Sequence, residues 1–180
     1  MASSILITGG CRSGKTAYAM QLARGYGGPL VYIATSPRSS DPEMLRRIKA
    51  HQAERASSAW QTIEEERDLC AAVRQCPAGA TVLIDCLTLW LSNSMYYAEK
   101  EGLLMDESNV VQACEQLYRA INLHSGVVLM VTNEVGLGIV PDNPVARRFR
   151  DLAGRCNQHI ARCAEQVILM SCGLPLRLKG

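Results

Sequence analysis

Gly9-Gly10-Cys11-Arg12-Ser13-Gly14-Lys15-Thr16 follows the apolar run Ile5-Leu6-Ile7 and leads into Ala17-Tyr18-Ala19-Met20-Gln21-Leu22. The stretch reads as strand, glycine-rich turn and helix, and its spacing, G-x-x-x-x-G-K-T, is that of a phosphate-binding loop in the context the motif requires. Gly9 and Gly14 let the backbone curl so that successive N–H groups point inward, and the helix starting near Lys15 adds the positive end of its dipole. In such a loop Lys15 reaches the outer phosphates and the Thr16 hydroxyl holds Mg²⁺. The motif therefore implies binding of a nucleoside triphosphate.

Outward from this stretch, strands and helices alternate. Pro29 to Thr35 is a second β-branched, apolar run, and Thr81-Val82-Leu83-Ile84-Asp85 a third that ends in an acid. In phosphate-loop proteins that acid is the second ligand expected for Mg²⁺. Gly126 to Thr132 and Gln166 to Met170 are further strands, and Leu174 to Leu178 reads as an antiparallel edge. Helices are expected from Asp41-Pro42 through Arg55, from Glu64-Glu65-Glu66 to Cys76, from Leu87 to Lys100, from Glu107 to His124, and from Asn143-Pro144 to Ala164. The pattern predicts an α/β chain with a three-layer P-loop NTPase (RecA-like) fold, its sheet mostly parallel with an antiparallel C-terminal edge, forming one domain over residues 1–180.

Composition narrows the function. A net charge of +2, with arginines spread over several segments, gives no broad nucleic-acid footprint and disfavours a DNA-stimulated motor. Met1-Ala2-Ser3-Ser4 runs straight into the first strand without a leader pattern, and no apolar run approaches a membrane span, so a cytoplasmic protein is expected. Eight cysteines without a C-x-x-C pair are expected to be reduced and structural. Cys156, His159 and Cys163 share one helix face, which reads as a packed face or as three ligands of a zinc site lacking its fourth. Cys11 lies inside the phosphate loop itself.

Beyond the loop, Tyr32-Ile33-Ala34-Thr35-Ser36, Arg47-Ile48-Lys49-Ala50-His51, Trp60-Gln61-Thr62-Ile63-Glu64, the stretch Asn133-Glu134-Val135-Gly136-Leu137-Gly138-Ile139-Val140-Pro141, Arg147 to Asp151, and Gly154 to Gln158 together resemble one family over nearly the whole chain. It is the bifunctional adenosylcobinamide kinase and adenosylcobinamide-phosphate guanylyltransferase family of cobalamin synthesis. The resemblance implies two reactions. ATP or GTP phosphorylates the hydroxyl of adenosylcobinamide; GTP then gives GMP to a histidine, releasing pyrophosphate, and the GMP passes to adenosylcobinamide phosphate to make adenosylcobinamide-GDP.

The family's guanylylated histidine matches His51, with Lys15 as the other catalytic residue. On spacing alone, a histidine beside Met44 and Ile48 on a helix face is more often a half-buried structural residue. The nucleotide-binding set implied is Gly9, Gly10, Cys11, Arg12, Ser13, Gly14, Lys15, Thr16, Ala34, Thr35, Ser36, Gln52, Ala53, Glu54, Arg55, Glu64 and Asp85, with Thr16 and Asp85 on Mg²⁺. Glu64 is either a guanine-contacting acid or a helix-start acid, and Thr35 and Ser36 either contact nucleotide or end a strand. Arg147, Arg150 and Arg155 either bind the corrinoid or bridge subunits of the homotrimer that the family forms. The loop with Gly136 and Gly138 either closes over substrate or makes a tight turn. Asp85 stands where some relatives carry Glu, and Arg55-Ala56 replaces an Arg-Pro. The competing enzyme reading is a small P-loop metabolite kinase in which His51 is idle.

Overall fold

The computed structural model describes residues 3–37, 46 and 60–180. The chain runs β1 (Ser3–Gly9), α1 (Lys15–Arg24), β2 (Leu30–Ala34), β3 (Trp60–Glu64), α2 (Leu69–Gln75), β4 (Thr81–Asp85), α3 (Leu87–Lys100), α4 (Glu107–Leu123), β5 (Val127–Val131), a single 3₁₀ turn (Val135–Leu137), α5 (Pro144–Cys163), β6 (Gln166–Ser171) and β7 (Leu174–Lys179). The seven strands form one sheet in the order β3-β2-β4-β5-β1-β6-β7. All neighbours are parallel except β6 and β7. The expected helix from Asp41 to Arg55 lies outside the described residues apart from Arg46, and with it His51, Gln52, Ala53, Glu54 and Arg55.

The central strands are apolar on both faces because both faces are covered. Side chains alternate across the sheet, so β1 sends Leu6 to one side and Ile5 and Ile7 to the other, and β4 divides Val82 and Ile84 from Leu83. The Leu6 side packs on α2, α3, α4 and α5 through Val73, Leu91, Leu117 and Ile160. The Ile5 side packs on α1 through Ala19, Met20 and Ala23. Each fully buried Leu or Ile contributes roughly 1.5–3 kcal/mol relative to exposure, so these two layers are the main stabilising term.

One expected element is wrong. Glu64-Glu65-Glu66 do not open a helix: Trp60–Glu64 is an edge strand parallel to β2. Helix α2 starts at Leu69, capped by the Asp68 carboxylate accepting from the Ala71 N–H at 2.8 Å. Glu65 accepts from the N–H groups of Arg67 and Asp68 at 2.8 and 2.9 Å, so the acid run builds the turn that ends the strand. Trp60, Thr62 and Ile63 are strong strand formers, and Trp60 stacks edge-to-face on Tyr32 of β2 with 6.0 Å between ring centroids.

The register is guarded where β4 and β5 begin. A Cβ on Gly126 would lie 2.0 Å from the Ala80 carbonyl oxygen. Gly126→Ala must push the two strand starts apart, and is expected to destabilise the protein by about 2–3 kcal/mol. Calorimetry should read a fall in Tm of roughly 5–10 °C for a chain of this size. An unchanged Tm would contradict this close approach.

Candidate functional site: a phosphate cradle between β1 and β4

β1 ends at Gly9 and α1 begins at Lys15, so the loop from Gly10 to Gly14 must reverse the chain within five residues. It does so with left-handed backbone at Gly14 (φ +91°) and Arg12 (φ +54°). Gly9, at φ +149°, has no room for a side chain: a Cβ would meet the Met170 carbonyl oxygen at 2.4 Å and Ser13 Oγ at 2.8 Å. The Gly173 N–H donates to the Ser13 carbonyl at 3.1 Å and ties the loop to the β6–β7 turn.

Lys15, only 7 % exposed, donates through Nζ to the Gly10 carbonyl at 2.6 Å and to Ser13 Oγ at 3.4 Å. Burial pushes its pKa down, and the Asp85 and Glu134 carboxylates are among the neighbours that push it back up. Next along α1, Thr16 Oγ1 donates to Asp85 Oδ2 at 2.9 Å, and the Tyr32 hydroxyl donates to the same oxygen at 2.6 Å. A hydroxyl and a carboxylate facing each other beside the loop are the hard oxygen donors that Mg²⁺ takes.

The pairing register carries the site sideways. Asp85 on β4 is level with Ala34 on β2, and Ala34 with Glu64 on β3. Ser36 and Glu64 line a cavity of about 780 Å³ together with Glu66, Tyr96, Tyr97 and Lys100. Thr35 behaves otherwise. It is fully buried, its Oγ1 accepts from the Cys86 N–H at 2.7 Å and donates to the Cys86 carbonyl at 2.8 Å, and its own carbonyl accepts from Asn93 at 2.9 Å. The hydroxyl is spent on joining the ends of β2 and β4, which is the strand-ending alternative.

Arg147, Arg150 and Arg155 of α5 each bond to groups of this chain. Arg155 pairs with Glu107 at 2.7 Å, Arg147 donates to the Pro141 and Asp142 carbonyls at 3.0 and 2.7 Å, and Arg150 donates to the Gly136 carbonyl at 3.2 Å. Arg147 and Arg150 brace the loop that follows β5. That loop contains one 3₁₀ turn, over Val135–Leu137. All eight cysteines are free thiols, with burial pushing Cys86 up to about 11. Cys156 is buried against Cys114 at 3.5 Å, His159 and Cys163 on the same face are partly exposed, and among the described residues no group of three or more His, Cys, Asp or Glu is placed to hold a metal. No helix among the described residues is long and apolar enough to cross a membrane.

The structure adds a cluster that sequence reasoning did not weigh. The Glu134 N–H donates to the Gly9 carbonyl at 3.1 Å, and its Oε1 accepts from Thr8 Oγ1 at 2.5 Å and from Asn157 Nδ2 at 3.3 Å. The signal available beforehand was an acid just past an apolar strand, the same kind of signal that singled out Asp85.

A buried lysine in a glycine-cornered loop, beside a hydroxyl–carboxylate pair, defines the class: a P-loop nucleotide-binding enzyme. Solved structures agree on the fold. A KaiC-like protein from Pyrococcus horikoshii superposes with a TM-score of 0.52 at 17% identity, over 93% of this chain and 70% of that one. A type III secretion ATPase does so with 0.56 at 10% identity, over 97% of this chain and 56% of its own. At the sequence level, residues 5–178 match the family model described as cobinamide kinase / cobinamide phosphate guanyltransferase. The bifunctional adenosylcobalamin biosynthesis protein CobP of Pseudomonas aeruginosa is 40% identical, with 97% of this chain and 96% of that protein aligned. CobU of Salmonella typhimurium is 37% identical over 97% and 99%. The chain belongs to the cobinamide kinase / cobinamide phosphate guanyltransferase family.

Proposed function

We propose that this chain carries out both reactions of its family, phosphorylating adenosylcobinamide with ATP or GTP and then converting the phosphate to adenosylcobinamide-GDP. The observation that carries the reading is the Lys15 and Thr16–Asp85 arrangement in a chain matched by that family from residue 5 to residue 178. The loop amides and Lys15 would draw charge from the phosphate oxygens as it builds in the transition state. Thr16 and Asp85 would hold Mg²⁺, which when bound neutralises phosphate charge and orients the leaving group.

For the second reaction the nucleophile is His51. Its neutral imidazole nitrogen attacks the α-phosphorus of GTP, the N–P bond forms, and the bond to pyrophosphate breaks. An oxygen of adenosylcobinamide phosphate then displaces the imidazole, taking the GMP. Gln52, Ala53, Glu54 and Arg55 follow the histidine along the nucleotide, and Glu64 accepts from the guanine edge. The reading further takes residues 1–180 as one domain of a cytoplasmic homotrimer.

GTP labelled at the α-phosphate tests the covalent step. Acid-labile label should remain on the denatured chain, and His51→Ala should lose it while keeping phosphoryl transfer from γ-labelled nucleotide. A parent chain that phosphorylates its substrate and never retains α-label is a plain P-loop kinase.

A further inference from the structure

We propose that Glu134 is the base that accepts the proton of the acceptor hydroxyl in the phosphorylation step. The proposal rests on the kinase half of the reading above. Of the two reactions only this one needs a base: a neutral imidazole attacks through a free lone pair, and a phosphate oxygen brings no proton at neutral pH, whereas a hydroxyl must lose one.

Three acids stand at the carboxyl edge of the sheet, and their places separate their roles. Neighbouring strands lie about 4.8 Å apart, so Glu64 on β3 is roughly 19 Å across the sheet from the strand that delivers the phosphate loop. Asp85 is nearer, but its Oδ2 already holds the Thr16 and Tyr32 hydroxyls and faces the cation position. Glu134 follows β5, which lies between β1 and β4, and its N–H is bonded to the carbonyl of Gly9, the last residue of β1 before the loop.

The Glu134 carboxylate is also oriented. Thr8 and Asn157 both donate to Oε1. Asn157 is fixed in turn, since its Oδ1 accepts from Thr132 Oγ1 at 2.7 Å and its Nδ2 donates to the Asn133 carbonyl at 3.1 Å. Among the described residues no partner takes Oε2. A carboxylate beside a triphosphate suffers like-charge repulsion unless a cation or a proton meets it. Glu134 makes no bond to Thr16 or Asp85 and forms no ion pair among the described residues; the Lys15 ammonium is near enough to feel its charge but is bonded to the Gly10 carbonyl and Ser13 Oγ. A proton-bearing acceptor fits what is left. The acceptor oxygen bonds to the γ-phosphorus, the bond from that phosphorus to the β-bridging oxygen breaks with its electron pair leaving on the nucleoside diphosphate, and the hydroxyl proton moves to Oε2. Water later removes it.

Glu134→Gln keeps shape and removes the base. Phosphoryl transfer from γ-labelled nucleotide to cobinamide and retention of α-label from GTP are measured on the same preparation. The ratio of the first rate to the second should fall on the order of 100-fold, with the KM for nucleotide within about threefold. Glu134→Asp, which withdraws the carboxylate by one methylene, should recover part of the phosphorylation rate, and calorimetry on both variants separates chemistry from unfolding. A ratio within about threefold of the parent, or equal loss of both activities in folded protein, overturns the proposal. A parent chain that retains α-label and transfers no phosphate to cobinamide overturns the kinase reading and the proposal with it.

Discussion

Lys15→Met is expected to cut both activities by on the order of 10⁴-fold, the worth of a well-placed cation at a transferring phosphoryl group in enzymes of this class. The variant should nevertheless be as stable as the parent or more so. Lys15 is almost fully buried, and burial lowers its pKa below the ordinary 10.5. The protonated form is therefore held less well in the folded chain than in the unfolded one, and at every pH below the folded pKa its charge subtracts from stability. Met has a similar length and no charge, so the penalty disappears, at the loss of hydrogen bonds to Gly10 and Ser13 that the loop can replace with water. As pH rises through the folded pKa of Lys15 the parent sheds the same penalty, and the two melting curves should draw together. Activity lost together with a large drop in Tm would make Lys15 a structural residue; normal turnover would remove the loop from the mechanism.

What the sequence disclosed and what it hid divide along sequence distance. The loop was legible because its spacing and most of its requirements are local, left-handed backbone at Gly14 and a helix starting at once, even though the Met170 carbonyl that leaves Gly9 no room for a side chain comes from β6. The buried strands were legible because both faces of the sheet are covered and their runs are apolar throughout. β3 was not, since an edge strand with exposed Gln61 and Thr62 shows little of that signal, and three consecutive acids imitate the first turn of a helix. The hydrogen-bond partners of Thr35 and Arg155 were out of reach for a different reason. Their partners, Cys86 and Glu107, lie 51 and 48 residues away, and only the pairing of β2 with β4 and of α4 with α5 brings them in. Glu134 belongs to the same group. Its meaning depends on β5 lying between β1 and β4, a strand order that no spacing in the chain expresses.

Asp85→Asn should reduce phosphoryl transfer by on the order of 10³-fold, since a metal at the phosphates supplies several kcal/mol of charge stabilisation and this variant weakens its hold. The mechanism predicts opposite signs in two binding measurements. With Mg²⁺ present, nucleotide affinity should fall and half-saturation by Mg²⁺ should move up by more than tenfold. With the metal chelated, affinity should rise, because a carboxylate beside the loop opposes the phosphates by roughly 1–2 kcal/mol and the amide does not. Titration calorimetry in magnesium and in chelator reads both. The fold should lose only about 1–2 kcal/mol, because the Thr16 and Tyr32 hydroxyls keep an oxygen to donate to and give up only the charge on it. A residue that merely braced the strand ends would weaken nucleotide equally in both titrations, so the change of sign, more than the size of the rate loss, is what identifies Asp85 as a ligand of the metal.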